Sequence, residues 1–197
     1  MSLFDKAIAA VTPPESQQKR DEARAKATAA AEPGDWLSLV LDQHRQLESS
    51  FAAVKSASDP ASRTAALKKL GVILTGHAIA EEAVLYPGLA QAGEKGHAEM
   101  GYTEQVAVKM QMAALETLGP MSSDFLDKLE HIRGAVAHHM FEEEGTWFLE
   151  LKQKAPADVQ ARLTQRFQEE FDRYIGDDAA GGAMREARSW DDARPPA

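Results

Sequence analysis

The chain contains no cysteine. That excludes disulfides, thiolate metal sites, iron–sulfur clusters and thiol catalysis, and it suits a reducing cytosol. No run of about 18 apolar residues occurs, so no segment is expected to span a membrane. The opening Met1-Ser-Leu-Phe-Asp-Lys lacks the basic region and apolar core of a signal peptide, and a cytoplasmic location is expected. Basic residues are outnumbered, 22 Lys and Arg against 31 Asp and Glu, for a net charge of −9. Nucleic acid and anionic membrane both call for basic surface, so neither is an expected partner. Strand-like alternation is also missing, and 197 residues suffice for one helical domain with extensions.

What the sequence does have is helical periodicity. Residues 1–33 read as an N-terminal helical extension: a short amphipathic helix from Leu3 to Val11, then an Ala- and charge-rich stretch from Glu15 to Ala31. Asp35 can cap a first main helix whose apolar stripe runs Leu37, Val40, Leu41, Leu47, Phe51 and Val54. A second helix is expected from about Ala61 to Ala92, with a break at Pro87-Gly88. A third covers about His97 to Leu118, and a fourth runs from Ser122 or Ser123 to about Lys154. A fifth, Ala157 to Ile175, is amphipathic. Residues 34–175 thus read as an all-α, up-down-up-down four-helix bundle with an extra C-terminal helix. The Gly-, Asp- and Pro-rich residues 176–197 read as a flexible tail.

Within that frame two segments repeat with an offset of 62 residues. His77-Ala-Ile-Ala-Glu81-Glu82 matches His139-Met-Phe-Glu-Glu143-Glu144, and Leu70, Leu74 and Leu89 recur as Ile132, Val136 and Leu151. A His four residues before a Glu places imidazole and carboxylate one turn apart on one helix face. Here that face is apolar, where unpartnered polar groups cost several kcal/mol each, and a metal supplies the partner. His138 with Glu142 is the other register for the second copy, and the repeat alignment favours His139 with Glu143. Glu82 and Glu144 follow about 100° further round the helix, away from the bundle axis. His44 lies inside the first helix's apolar stripe, and His97 supplies an imidazole from the third. Imidazole and carboxylate without thiolate favour iron, manganese or zinc.

These residues resemble the hemerythrin family, and in particular its HHE cation-binding branch, over residues 35–153. The resemblance is carried by His44 in Asp-Gln-His-Arg-Gln-Leu, His77 with Glu81, His97, His139 with Glu143, and the doublets followed by Leu85-Tyr86-Pro87 and Trp147-Phe148. It implies two non-haem iron ions, oxo- or hydroxo-bridged and spanned by both glutamates, with zinc or manganese as substitutes. It also implies small-molecule partners: dioxygen, peroxide or nitric oxide. The third helix departs from the oxygen carriers, which place two histidines there four residues apart. Position 101, four after His97, is glycine, and Glu104 shares nearly the same face. One imidazole fewer, with Glu104 as a proton carrier beside the metals, points to peroxide or dioxygen chemistry with catalase-like turnover. Oxygen, nitric oxide or iron sensing is the alternative. Either a monomer or a homodimer is compatible with this pattern.

Overall fold

The computed structural model describes residues 15–176, and the expected helix from Leu3 to Val11 and the tail lie outside them. The chain is an all-α bundle with additional helices: α1 (Gln17–Ala30), α2 (Trp36–Ser56), α3 (Pro60–Ala80), α4 (Tyr86–Gln91), α5 (Lys95–Glu116), α6 (Ser123–Glu142), α7 (Phe148–Lys154) and α8 (Ala157–Ile175). The long helices α2, α3, α5 and α6 form the frame. Their starts are set locally. Ser16, Asp35, Asp59 and Ser122 each accept a hydrogen bond from the backbone N–H three residues on, which satisfies a donor the helix leaves unpaired.

Two wide turns interrupt the frame. Residues Glu81–Leu85 join α3 to α4, and Glu143–Trp147 join α6 to α7, both as π-helix. Each is closed by a hydrogen bond across five residues, Tyr86 N–H to Glu81 O and Phe148 N–H to Glu143 O. The two turns obey the same offset of 62 residues as the sequence repeat. Such a turn inserts one residue into the α-helical ladder and is frequent at functional sites. It also corrects the expected break at Pro87-Gly88. Pro87 falls in the first turn of α4, and the carbonyl of Glu82, five residues before it, accepts from the Tyr102 hydroxyl instead of a backbone N–H.

The apolar core forms two clusters. One gathers Trp36, Leu37, Val40, Leu41, Leu85, Tyr86, Leu89, Trp147, Phe148 and Phe167. The other gathers Leu47, Phe51, Val54, Leu70, Leu74, Leu115, Phe125 and Ile132. His44 sits on α2 between Leu41 of the first and Leu47 of the second, so a polar layer separates them. The extra helices cover the first cluster. α8 buries Leu163 and Phe167 and packs along α3 and its π turn. α1 buries Ala23 and Ala27 and lies against the second π turn. No helix among the described residues is long and apolar enough to cross a membrane.

Candidate metal centre

The polar layer is built by four helices and two π turns. His44, Glu81 and Glu143 are fully inaccessible to solvent, and His77 and His139 nearly so. His44 and His77, His77 Nε2 and Glu81 Oε1, and His44 Nε2 and Glu143 Oε2 face one another, the last two pairs at 3.1 and 3.3 Å. One donor atom from each of His44, His77, Glu81 and Glu143 lies within 4.8 Å of all the others. His44 Nε2, His77 Nε2, Glu81 Oε1 and Glu143 Oε2 are all buried without a hydrogen-bond partner.

Those orphaned atoms follow from what the other ring nitrogens do. His44 Nδ1 is 2.7 Å from Glu144 Oε1, and His77 Nδ1 is 2.8 Å from Gln43 Oε1. Each partner is an acceptor, so each Nδ1 carries a hydrogen, and each Nε2, once free of any second proton, presents a lone pair. That lone pair points at a carboxylate oxygen, which a cation must bridge. The donor set therefore fits a metal ion, and the anchored Nδ1–H bonds fix the rings as metal-binding histidines require.

The opposite oxygens of the same glutamates face a second group. Glu143 Oε1 is 3.2 Å from His139 Nε2 and 3.2 Å from the Tyr86 hydroxyl. Glu81 Oε2 accepts from Gln105 Nε2 at 2.8 Å and lies 3.3 Å from the Tyr86 hydroxyl. His139 Nε2 is 3.1 Å from that hydroxyl. Glu104 Oε2 is 2.7 Å from His139 Nδ1, so Glu104 stands behind His139 as Glu144 stands behind His44. In the sequence Tyr86 stands out only as part of the motif after the first doublet, and Gln105 does not stand out at all. Their signal was available in one respect: Gly101 and Gln105 are four apart on α5, the spacing of the missing pair of imidazoles.

His97 does not join the other histidines. It is stacked on Trp147, ring centroids 5.6 Å apart, with Nδ1 3.5 Å from Glu94 and 3.8 Å from Glu150. The reason is axial distance. Gln105, which does reach the centre, is two helical turns further along α5, about 12 Å at 1.5 Å per residue. A second expectation also fails: Glu144 does not face outward but is 2% exposed. α1 lies over it, and its carboxylate is held between Arg24 and His44, whereas Glu82 at the equivalent place in the first π turn has no such cover and stays partly exposed. Tyr102 is partly exposed and donates to Glu82 O at 2.7 Å. His138 pairs with Glu15 of the segment preceding α1 at 2.8 Å.

Electrostatics follow the same division. Burial alone would push the His44 imidazolium down, but the Glu143 and Glu144 carboxylates, as acceptors and as negative charges, outweigh it and hold its pKa up at about 9. Burial acts against His139 as well, and the charge of Glu143 and the Glu104 hydrogen bond raise it well above the usual value. His77, buried beside the positive His44, is held well below it. Burial and the Glu143 charge raise Glu81. Glu143 resists burial and stays low between His139 and His44. In the metal-free protein protons therefore supply part of the positive charge that the carboxylates require.

The family model described as the hemerythrin HHE cation binding domain matches residues 37–151. A protein of Nostoc sp. named as a DNA nickase is 23% identical over 149 residues, covering 74% of this chain and 42% of the relative. An uncharacterized hemerythrin-like protein of Schizosaccharomyces pombe is 29% identical over 108 residues, 53% of each chain. The chain thus spans about half the length of the curated relatives it matches. No solved structure matches it significantly.

Proposed function

The chain belongs to the hemerythrin HHE cation-binding family, and on that premise we propose that it is a non-haem di-iron protein that reacts with peroxide or dioxygen. The observation that carries this reading is the set of four buried, unpartnered donors, His44 Nε2, His77 Nε2, Glu81 Oε1 and Glu143 Oε2. They would hold one ion. His139 Nε2, the remaining oxygens of Glu81 and Glu143, and the Tyr86 hydroxyl would hold the second, so that both glutamates span the pair. Iron bound there supplies one-electron redox chemistry toward small oxygen compounds. Zinc or manganese satisfies the same donors.

The chain's own residues supply the rest. Glu144, Gln43 and Glu104 fix the three imidazoles through their Nδ1–H groups, which raises the basicity of each Nε2. Gln105 Nε2 and the Tyr86 hydroxyl are donors aimed into the centre, suited to hold a small oxygen-bearing molecule. Glu104 is partly exposed, and with His139 it forms a path for a proton between solvent and the second position. A water-sized cavity lined by Leu47, Leu74, Val108, Val136 and Met140 touches His77, Gln105 and His139. Its lining, apolar apart from the Glu104 carboxylate, suits a small neutral molecule and disfavours an anion. The name of the Nostoc relative concerns DNA, but a net charge of −9 argues against a DNA-gripping surface here.

Metal content of the purified chain, followed by an oxygen-electrode trace after addition of peroxide, tests the proposal. Two iron ions per chain and evolved oxygen are expected. A chain that takes up no iron under anaerobic reconstitution would sink it. Iron binding without turnover would leave the alternative, a module that binds dioxygen, nitric oxide or iron as a signal. One observation favours that alternative: α1 is bonded to the centre through Arg24 and Glu144.

A further inference from the structure

We propose that α1 is a metal-responsive clasp in which Arg24, acting through Glu144, positions His44, so that metal binding and docking of α1 strengthen each other. This rests on the metal-centre reading above. Arg24 Nε lies 3.1 Å from Glu144 Oε2, and Nη2 lies 2.9 Å from Oε1. Its Nη1 binds Glu48 on α2 at 2.8 Å. The guanidinium thus forks onto one carboxylate and ties it to a second helix. The same Glu144 accepts from His44 Nδ1 at 2.7 Å. A carboxylate gripped on both sides cannot rotate, and it fixes the plane of the imidazole whose Nε2 faces Glu143.

Little else holds α1 in place. Its only buried side chains are Ala23 and Ala27, which offer a methyl group each, and the residues at its C-terminal end that pack on the core, Ala30 and Ala31, are equally small. Polar clasps therefore decide whether it docks. The second clasp is Glu15 with His138 at 2.8 Å. Each clasp lands one residue from a proposed ligand: His138 precedes His139, and Glu144 follows Glu143. α1 approaches closely there: Gly145 lies against Ala23, where even a Cβ would make only ordinary contact at 3.5 Å.

The coupling has a direction. A metal ion at Nε2 fixes the ring plane and, compared with the neutral imidazole, polarises it, so that Nδ1–H is held on Glu144 as a stronger donor. Binding linkage is reciprocal, so an undocked α1 must weaken metal binding by the same factor that metal strengthens docking. Arg24 is a positioning residue in this scheme and touches neither metal nor substrate.

Hydrogen exchange of the full chain over Gln17–Ala30, with and without Zn(II) as a redox-silent probe, tests the clasp together with a chelator-competition titration. Zinc is expected to slow exchange in α1. Arg24→Met should abolish that slowing and weaken zinc binding about 10- to 100-fold, the range for lost outer-shell partners. Arg24→Lys should recover part of both, because it keeps the charge and loses the fork. Lys26→Met, on the exposed face of α1, should change neither. Exchange in α1 that ignores zinc, or Arg24→Met binding zinc as the parent does, would overturn the clasp while leaving the metal centre standing. A parent chain that binds no zinc or iron would overturn both.

Discussion

Gly101 lies against the flat of the Tyr86 ring: a Cβ at position 101 would stand 2.7 Å from Tyr86 Cζ and 3.0 Å from both Cε atoms. The glycine on α5 is thus the space in which the phenol from α4 reaches the centre. Gly101→Ala should push a fully buried ring and destabilise the fold by about 1–3 kcal/mol, as overpacking does. Gly101→His cannot restore an imidazole beside Tyr86 without moving it. Denaturant unfolding of Gly101→Ala, Tyr86→Leu and the double variant checks this, and the double variant should be milder than the sum.

Tyr86→Phe keeps the ring and removes one hydroxyl. The buried partners Glu81, Glu143, His139 and Gln105 lose a common neighbour, which costs about 1–3 kcal/mol in the metal-free protein. With iron loaded, the visible spectrum should change and the second ion should bind more weakly, with the first retained. Identical spectra and identical metal content would remove the phenol from the centre.

The glutamate doublets should not behave alike. Glu82 is partly exposed and pairs with Lys109, so Glu82→Ala should leave both metals bound. Glu144→Ala releases the His44 ring and leaves Arg24 facing a vacated position. It should weaken metal binding about 10- to 100-fold, though Glu143→Ala should be more severe. Metal titration of the three variants decides the order.

His97→Ala should leave metal content unchanged, because the ring belongs to a peripheral stack on Trp147 beside Glu94 and Glu150. Loss of one ion on this substitution would instead place a metal among Glu94, His97 and Glu150, whose donor atoms lie within 4.8 Å of one another.

Proton competition sets a pH dependence. His44 has a folded-state value of about 9 against about 6.5 unfolded. Its protonated form therefore stabilises the metal-free fold below about 6.5, and this contribution is lost as pH rises through about 9. His139 and Glu81, both raised, act in the same direction. His77 is depressed, so its contribution is fully present above about 6.5 and constant in this window. A metal must displace the His44 proton, so affinity should climb with pH up to about 9. Melting temperatures with and without zinc should diverge as pH is raised from 6.5 to 9.

The sequence exposed the bundle and most of the polar layer because both follow helical period. His44 interrupts an apolar stripe, and His77 with Glu81 repeats as His139 with Glu143. Two features broke the reading. A π turn carries no composition signal of its own, and it shifts every later position by about one residue around the helix. Glu144 reads as outward, like Glu82, because the helix that covers it, α1, lies 120 residues away in the chain. His97 was matched by residue type on the correct helix, but a ligand also needs the correct height along the axis, and only the packing of α5 against α4 shows that Gly101 and Gln105 stand there. Arg24 and Tyr86 were illegible for a further reason: their partners are 120 and 57 residues away, beyond any local pattern.

The cavity beside His77, Gln105 and His139 separates two kinds of traffic. A small uncharged molecule crosses its wall when side chains such as Leu74, Val108 and Met140 change rotamer, motions of picoseconds to nanoseconds at exposed positions and slower in a packed core. An ion held as proposed would leave only when Glu81 and Glu143, carried on separate helices, part company, which requires local unfolding on the microsecond-to-second scale. On the proposed reading, exchange of ligand and exchange of metal would run on separate clocks, and a chelator in solution would read the slower one.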